Sequence, residues 1–393
     1  MLPNAVVMSQ NPESDLVIVG GGVLGTFHAF HAAQRGLRVV LLERGHRPQG
    51  ATVRNFGQVV PSGMSREWQR LGRESLAIYK SIQSEFDITV REQGSTYIAS
   101  NPEEMQLLEE LHAINRDEAY TSKLWTKADC LEELPKLNSD YAVGGLHFPE
   151  EVSVNPSLMI HRLQEFLRTS EQVDIRYGAN VLSLKSDGTR VVARTSTQEE
   201  FSAAKAIVCS GNDFRTLYPE LFSQSGITDV KLQMLRLAPQ ECMMNGNILT
   251  GLSIRRYESF AECSSYAEVK QREPAESDFK RWGIHILFKQ EADGSLIIGD
   301  SHEYATVTEP ELGYEIASEI NECILREAQK IMNLSHWNVA SQWSGRYCQT
   351  DEPRGIFLRT IDQHIHVATA IGGKGMTASA GFAKQHMKEI FND

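Results

Sequence analysis

The chain has 393 residues, of which 41% are hydrophobic and 23% charged, a balance that excludes a disordered polymer and describes an ordinary folded protein. Thirty-nine Lys and Arg stand against fifty-one Asp and Glu, a formal net charge of −12, which repels polyphosphate and anionic lipid and excludes nucleic acid and membrane surfaces as expected partners. The length exceeds a typical domain of roughly 100–200 residues and predicts two joined domains.

The opening MLPNAVVMSQNPES lacks the basic start and apolar core of a secretory signal, so residues 1–13 are expected to be a flexible tail. No apolar run approaches the ~18 residues of a membrane span. Six cysteines (Cys130, Cys209, Cys242, Cys263, Cys323 and Cys348) are scattered without C-x-x-C or Cys/His ligand spacing. That pattern predicts neither a disulfide framework nor a metal site and fits a reduced, cytoplasmic setting.

From Asp15 the chain reads DLVIVGGGVLGTFHAFHAAQRGLRVVLLERG. Leu16 to Val19 is a continuous apolar run ending in glycines, the pattern of a strand buried on both faces. Val23, Phe27, Phe30 and Ala33 then fall at helical spacing, Gly36 closes the helix, and Arg38 to Leu42 is a second buried strand with Glu43 at its tip. Residues 68–142 are polar and helix-prone. Residues 173–211 read as short strands closing on AIVCSGND, and 230–306 as a strand-rich region in which IHILFKQ and SLIIGDS are joined by a DG hairpin signal. One long amphipathic helix is expected over 309–333, followed by a return to strand, glycine turn and helix in HIHVATAIGGKGMTASAGFAKQHMKEIF.

Gly20, Gly22 and Gly25 form G-x-G-x-x-G between the first strand and the first helix. The first glycine permits a tight turn, the second lets backbone approach a pyrophosphate, and the third allows close packing of helix on strand. The helix start at Val23 and Leu24 offers free N–H groups and partial positive charge to phosphates. Glu43 sits where a carboxylate accepts ribose hydroxyls. The segment after it, RGHRPQGATVRNFGQVVPSGM, is too long and polar for the next strand of a compact NAD unit and suits a cofactor running on to a second site.

The stretches GGGVLG, LLERG and GATVRNFGQVV resemble the amine- and amino-acid-oxidising flavoproteins, the family of glycine oxidase, sarcosine oxidase and D-amino-acid oxidase. The resemblance implies an α/β fold with a discontinuous Rossmann-like FAD-binding domain (14–67, 143–215 and 335–393) and an α+β substrate domain with a mainly antiparallel sheet (68–142 and 216–334). It implies that Gly20, Gly22, Val23, Leu24, Gly25, Glu43 and Arg44 hold the dinucleotide, and that Ala51, Thr52, Asn55, Gly57 and Gln58 wrap it. Val181 would contact adenine, and Ser210 and Gly211 would lie beside the pyrophosphate. IGGKGMTASAG matches the family's C-terminal glycine loop, so Gly372, Gly373, Lys374, Gly375, Met376 and Thr377 would pass under the flavin. There a helix N-terminus stabilises the negative charge of the reduced ring.

The family commonly shows Trp-x-Gly-x-Arg-Pro, its arginine gripping a substrate carboxylate. Here Trp343 and Gly345 match, but Tyr347 stands at the arginine position and Cys348 at the proline, with Arg346 one residue early. Cys348 also does not align with the cysteine that tethers flavin in sarcosine oxidases, so FAD is expected to be non-covalent. The RNFGQV loop is most similar to flavoproteins associated with aminophosphonate breakdown. This implies 2-aminoethylphosphonate or its N-methyl derivative as substrate, phosphonoacetaldehyde as product, and dioxygen as acceptor giving peroxide. Candidates at the reacting centre are Lys374, Tyr347 and His302; candidates for substrate are Arg346, Arg255, Arg256, Tyr257 and Thr377, with His285 a further possibility. No catalytic base is legible. The amine must shed its proton before oxidation, so activity is expected to rise with pH. A glycine- or sarcosine-type oxidase, and a dehydrogenase passing electrons to a carrier, are the competing enzymes; a protein using flavin only structurally is the third class. Oligomeric state is not legible.

Overall fold

The computed structural model describes residues 13–241, 244–309 and 312–392. The expected tail, apart from Glu13, and Cys242 lie outside them.

Ser14–Val19 runs through an eight-stranded sheet, parallel to Val39–Glu43 on one side and to Glu200–Val208 on the other. Val173–Tyr177 and Ile365–Thr369 extend the parallel core outward. Phe357–Ile361 and the hairpin of Val181–Ser186 with Val191–Thr195 add antiparallel strands. Leu16, Val17 and Ile18 are fully buried because both faces of this sheet are covered. The crossover helix Val23–Gln34 is buried nearly all round, since it lies between the sheet and helix Gly375–Phe391. Even its polar residues are inside: Nδ1 of His28 donates to Leu24 O at 2.8 Å, and Nε2 lies 2.9 Å from His386 Nδ1.

The second sheet has nine strands, in the order Glu303–Thr306, Thr228–Leu237, Leu296–Gly299, Leu287–Gln290, Asn247–Leu249, Ser95–Ala99, Gly144–Phe148 and Lys123–Thr126, with Val339–Gln349 paired to Thr228–Leu237. Its pairings are antiparallel apart from Asn247–Leu249 beside Ser95–Ala99. The expected hairpin is present: Leu287–Gln290 and Leu296–Gly299 pair around Asp293 and Gly294, the latter at φ +83°. Helix Ser318–Ile331 covers one face through Ile320, Ile324, Ala328 and Ile331.

The structure departs from the sequence reading in four places. Gly144–Phe148 and Val339–Gln349, expected with the FAD-binding unit, are strands of the nine-stranded sheet. Helix Arg66–Glu85, expected with the substrate unit, packs Trp68, Leu76, Tyr79 and Ile82 into the core of the first sheet's helices. Within 68–142 the helices alternate with strands Ser95–Ala99 and Lys123–Thr126. The helix expected over 309–333 begins only at Ser318; Gly313 disfavours helix, and Gln233 supplies the stop by accepting from Ala317 N at 2.9 Å and donating to Ala317 O at 3.1 Å.

Candidate active site

A cleft of about 760 Å³ lies between the two sheets and is walled by both glycine loops. It falls within the roughly 300–1,000 Å³ usual for small-molecule sites. At one end the first strand breaks at Gly20, whose φ is +105° and where a β-carbon would lie 2.2 Å from Cys209 O. Gly25 lies outside the cleft wall; a β-carbon there would stand 2.0 Å from Gly20 O, so its absence lets the helix close on the strand. Gly22, Val23 and Leu24 line the cleft, with Val23 N donating to Thr52 Oγ1 at 3.0 Å. The Glu43 carboxylate accepts from Gly21 N at 2.9 Å and from Gly45 N at 2.8 Å, which fixes it at the strand tip facing the same space. Arg44 pairs with Asp213 at the rim, and Val181, Ser210 and Gly211 complete this end.

Ala51, Thr52, Asn55 and Gln58 line the middle. Asn55 holds that loop, donating to Ala51 O and Thr52 O and accepting from Gly57 N at 2.7 Å. Gly57 lies behind the wall, with Val154 O 2.2 Å from where its β-carbon would be. At the far end Gly372, Gly373, Lys374, Gly375, Met376 and Thr377 line the cleft. The Thr377 hydroxyl accepts from Val60 N at 3.2 Å, joining this helix to the wrapping loop. Lys374 Nζ is 3.7 Å from Glu258 Oε1 and 5.3 Å from the Trp68 ring centroid, at the side of the cleft.

These residues fit a flavin dinucleotide. Two helices, Val23–Gln34 and Gly375–Phe391, start on one cleft and direct their positive ends into it, and neither has an acidic residue in its first turn. A β-carbon at Gly211 or Gly373 would meet nothing within 4 Å, so backbone there is open to a ligand's close approach.

The wall supplied by the second sheet is polar. His285, Asp300 and His302 are buried and line the cleft with Arg256, Tyr257, Tyr304 and Tyr347. His285 Nε2 is 2.6 Å from Asp300 Oδ1, and its Nδ1 is 3.1 Å from Ser253 Oγ. His302 Nδ1 donates to Gly283 O at 2.9 Å. Burial pushes His302 down to about 3, so it is neutral. Burial works to raise Asp300, but its neighbours, His285 and Arg256 among them, outweigh it and hold the carboxyl below its usual range. Burial pushes the phenols of Tyr257 and Tyr347 up, so both keep their protons.

Of the expected substrate residues, the structure brings Arg256, Arg346, Tyr257 and Thr377 to the cleft but not Arg255. Arg255 points away, bonded to Glu104 Oε1 at 2.8 Å and close to Glu103. Arg346 pairs with Asp229 on the neighbouring strand. Arg256 instead donates to the Tyr304 hydroxyl at 2.9 Å. Asp300 was not singled out in the sequence. Its signal is the DG hairpin, whose register sets Leu287 opposite Gly299 and so brings the two flanking segments side by side, where His285 N donates to Asp300 O.

A two-sheet α/β chain with a glycine-walled cleft shared by two helix N-termini is the architecture of a flavin-binding oxidoreductase. The family described as FAD dependent oxidoreductase matches residues 15–387, and this chain belongs to that family. Among curated relatives, rat (Rattus norvegicus) dimethylglycine dehydrogenase is 28% identical over 45% of this chain and 21% of its own length. Glycine oxidase of Geobacillus kaustophilus is 26% identical over 50% of this chain and 54% of its own. The matches thus span between a fifth and about half of those relatives. The crystal structure of glycine oxidase from Geobacillus kaustophilus superposes with a TM-score of 0.75 at 17% identity, covering 98% of this chain and 96% of that one, a likeness of fold. Among the described residues no helix is long and apolar enough to cross a membrane.

Proposed function

We propose that this protein oxidises the C–N bond of a small amine that carries an anionic group, with an aminophosphonate such as 2-aminoethylphosphonate or its N-methyl derivative as the best-fitting substrate. FAD, when bound, supplies the acceptor for the hydride on the carbon bearing nitrogen; hydrolysis of the resulting imine gives phosphonoacetaldehyde and free amine, and dioxygen as final acceptor gives peroxide. The observation that carries the reading is Arg256. It faces the cleft and donates to a phenol, whereas Arg255 and Arg346 are spent on carboxylates. Burial opposes its charge, but Tyr304 and Asp300 outweigh it and keep the guanidinium protonated. A phosphonate is gripped well by a guanidinium with hydroxyl donors beside it, and Tyr304 and Tyr347 supply those hydroxyls. The relatives named for dimethylglycine and glycine support the amine chemistry.

The glycine- or sarcosine-type alternative is favoured by those same names; against it, Tyr347 occupies the place where the family's arginine grips a carboxylate. Peroxide release is to be measured with glycine, sarcosine, proline, 2-aminoethylphosphonate and its N-methyl derivative. Turnover of an aminophosphonate at the highest kcat/KM supports the proposal, and no turnover of any aminophosphonate ends it. Dye reduction without peroxide assigns a carrier, rather than dioxygen, as acceptor.

A further inference from the structure

We propose that Asp300, with His302 beside it, is the ammonium subsite of this cleft, so that the substrate is recognised as a zwitterion with its cationic end on Asp300 and its anionic end on Arg256. The proposal rests on the amine reading above and adds to it the group that receives the nitrogen.

Hydrogen-bond partners decide which atoms of the cluster are donors. A carbonyl only accepts, so His302 Nδ1, 2.9 Å from Gly283 O, carries the ring proton and its Nε2 is left as an acceptor. His285 has a neighbour at each ring nitrogen, with Nε2 2.6 Å from Asp300 Oδ1 and Nδ1 3.1 Å from Ser253 Oγ. Asp300 Oδ1, although beside His285, is buried and accepts no well-formed hydrogen bond among the described residues, so the carboxylate retains accepting capacity. One nitrogen of each ring and one Asp300 oxygen lie within 4.8 Å of one another. The result is an acceptor cluster: a carboxylate and a neutral imidazole nitrogen, both on buried residues of the cleft wall. Such a cluster is complementary to a group that is cationic and rich in N–H donors.

The balance of charge points to the same partner. Arg256 and Asp300 line one wall closely enough to act on each other's ionisation. A guanidinium and a carboxylate on the same wall complement the two ends of a small molecule carrying one ammonium and one acidic group. An amine with a solution pKa near ~10 arrives at neutral pH as that ammonium.

The test uses the FAD-loaded enzyme reduced with dithionite under argon, so that no amine is consumed. Calorimetry compares 2-aminoethylphosphonate with propylphosphonate, and glycine with propionate; in each pair a methyl replaces the ammonium. The wild type is expected to bind the amine of at least one pair about tenfold or more tighter than its isostere. Asp300→Asn is expected to erase that preference while binding the amine-free partner within about threefold of wild type. An Asp300→Asn protein that keeps the preference overturns the proposal and leaves the amine reading standing. A wild type without preference in either pair overturns the amine reading and the proposal with it. A second measurement needs no variant: repeating the wild-type titration in two buffers of different ionisation enthalpy counts protons. Near-zero release shows the ammonium bound as such, and release of about one proton per amine overturns the proposal. Titration with Zn²⁺ or Mn²⁺ alone closes the test. Micromolar binding in wild type that Asp300→Asn abolishes would make the cluster a metal site and overturn the ammonium assignment.

Discussion

Val23 and Gly375 open two helices side by side: a β-carbon placed on Gly375 would stand 4.0 Å from Val23 Cγ1. Residues from opposite ends of the chain thus set two positive helix ends against one cleft, which is what a pyrophosphate and an electron-rich ring require of a protein.

The glycines of that cleft are not equivalent. Gly20→Ala forces a side chain onto Cys209 O at φ +105°, a strain of at least ~1–3 kcal/mol. It is expected to lower the melting temperature and yield protein largely without FAD. Gly373→Ala adds a methyl that meets no protein atom within 4 Å; it is expected to melt like wild type while weakening FAD binding. The ratio of flavin to protein absorbance, with a melting curve, checks both.

The three arginines are expected to separate cleanly. Arg256→Ala removes the charged donor facing the substrate and should raise KM for the anionic amine by roughly 10- to 100-fold. Arg255→Ala should leave KM within about twofold but destabilise the fold by about 3 kcal/mol, since it strands the buried Glu104 carboxylate. Arg346→Ala should behave like Arg255→Ala with respect to Asp229. Steady-state kinetics and urea unfolding of the three variants decide this.

Stability should depend on pH in a defined window. Burial holds His28 well below 6.5 and pushes His366 and His386 down to about 4 and about 3. As pH falls below 6.5 the unfolded chain takes up protons that the folded core refuses, so stability is complete above 6.5 and is lost progressively towards 4. Glu151 acts the other way. Burial raises it to about 7 from 4.5, so the folded state gains a proton first as pH falls and partly offsets the loss. Glu151→Gln is therefore expected to steepen the decline between pH 7 and 4.5, and His386→Gln to flatten it. Melting temperatures from pH 4 to 8 check both slopes.

The flavin should come away without a covalent bond. Cys348 lines the cleft, but its thiol donates to Gly211 O at 3.3 Å and is pushed up to about 11, first by burial, so it is not a thiolate nucleophile. Acid precipitation is expected to leave the yellow colour in the supernatant; colour in the pellet would refute this.

The first strand, glycine turn, helix and second strand were legible because their signals are local: an apolar run, G-x-G-x-x-G and Glu43 all fall within one supersecondary unit. The second sheet was not, because its pairings are non-local. Nothing in the sequence of Val339–Gln349 tells that it lies beside Thr228–Leu237 rather than with the strands that follow it. The polar wall was half visible. His302 stood out in GDSHE, but Arg255 and Arg256 are adjacent and alike in sequence, and only the turn after Ile254 decides that one meets Glu104 and the other Tyr304. Asp300 gains its meaning from His285 and Ser253, which come from other segments.

Both glycine loops are expected to close on one redox-active flavin beside an amine site. The visible spectrum of the purified protein, recorded before and after anaerobic addition of 2-aminoethylphosphonate, its N-methyl derivative, glycine or sarcosine, tests this most directly. Flavin absorbance bands are expected to bleach with at least one of these amines and to return on admitting air. A colourless preparation that does not take up FAD, or a yellow one that no amine bleaches, would contradict this.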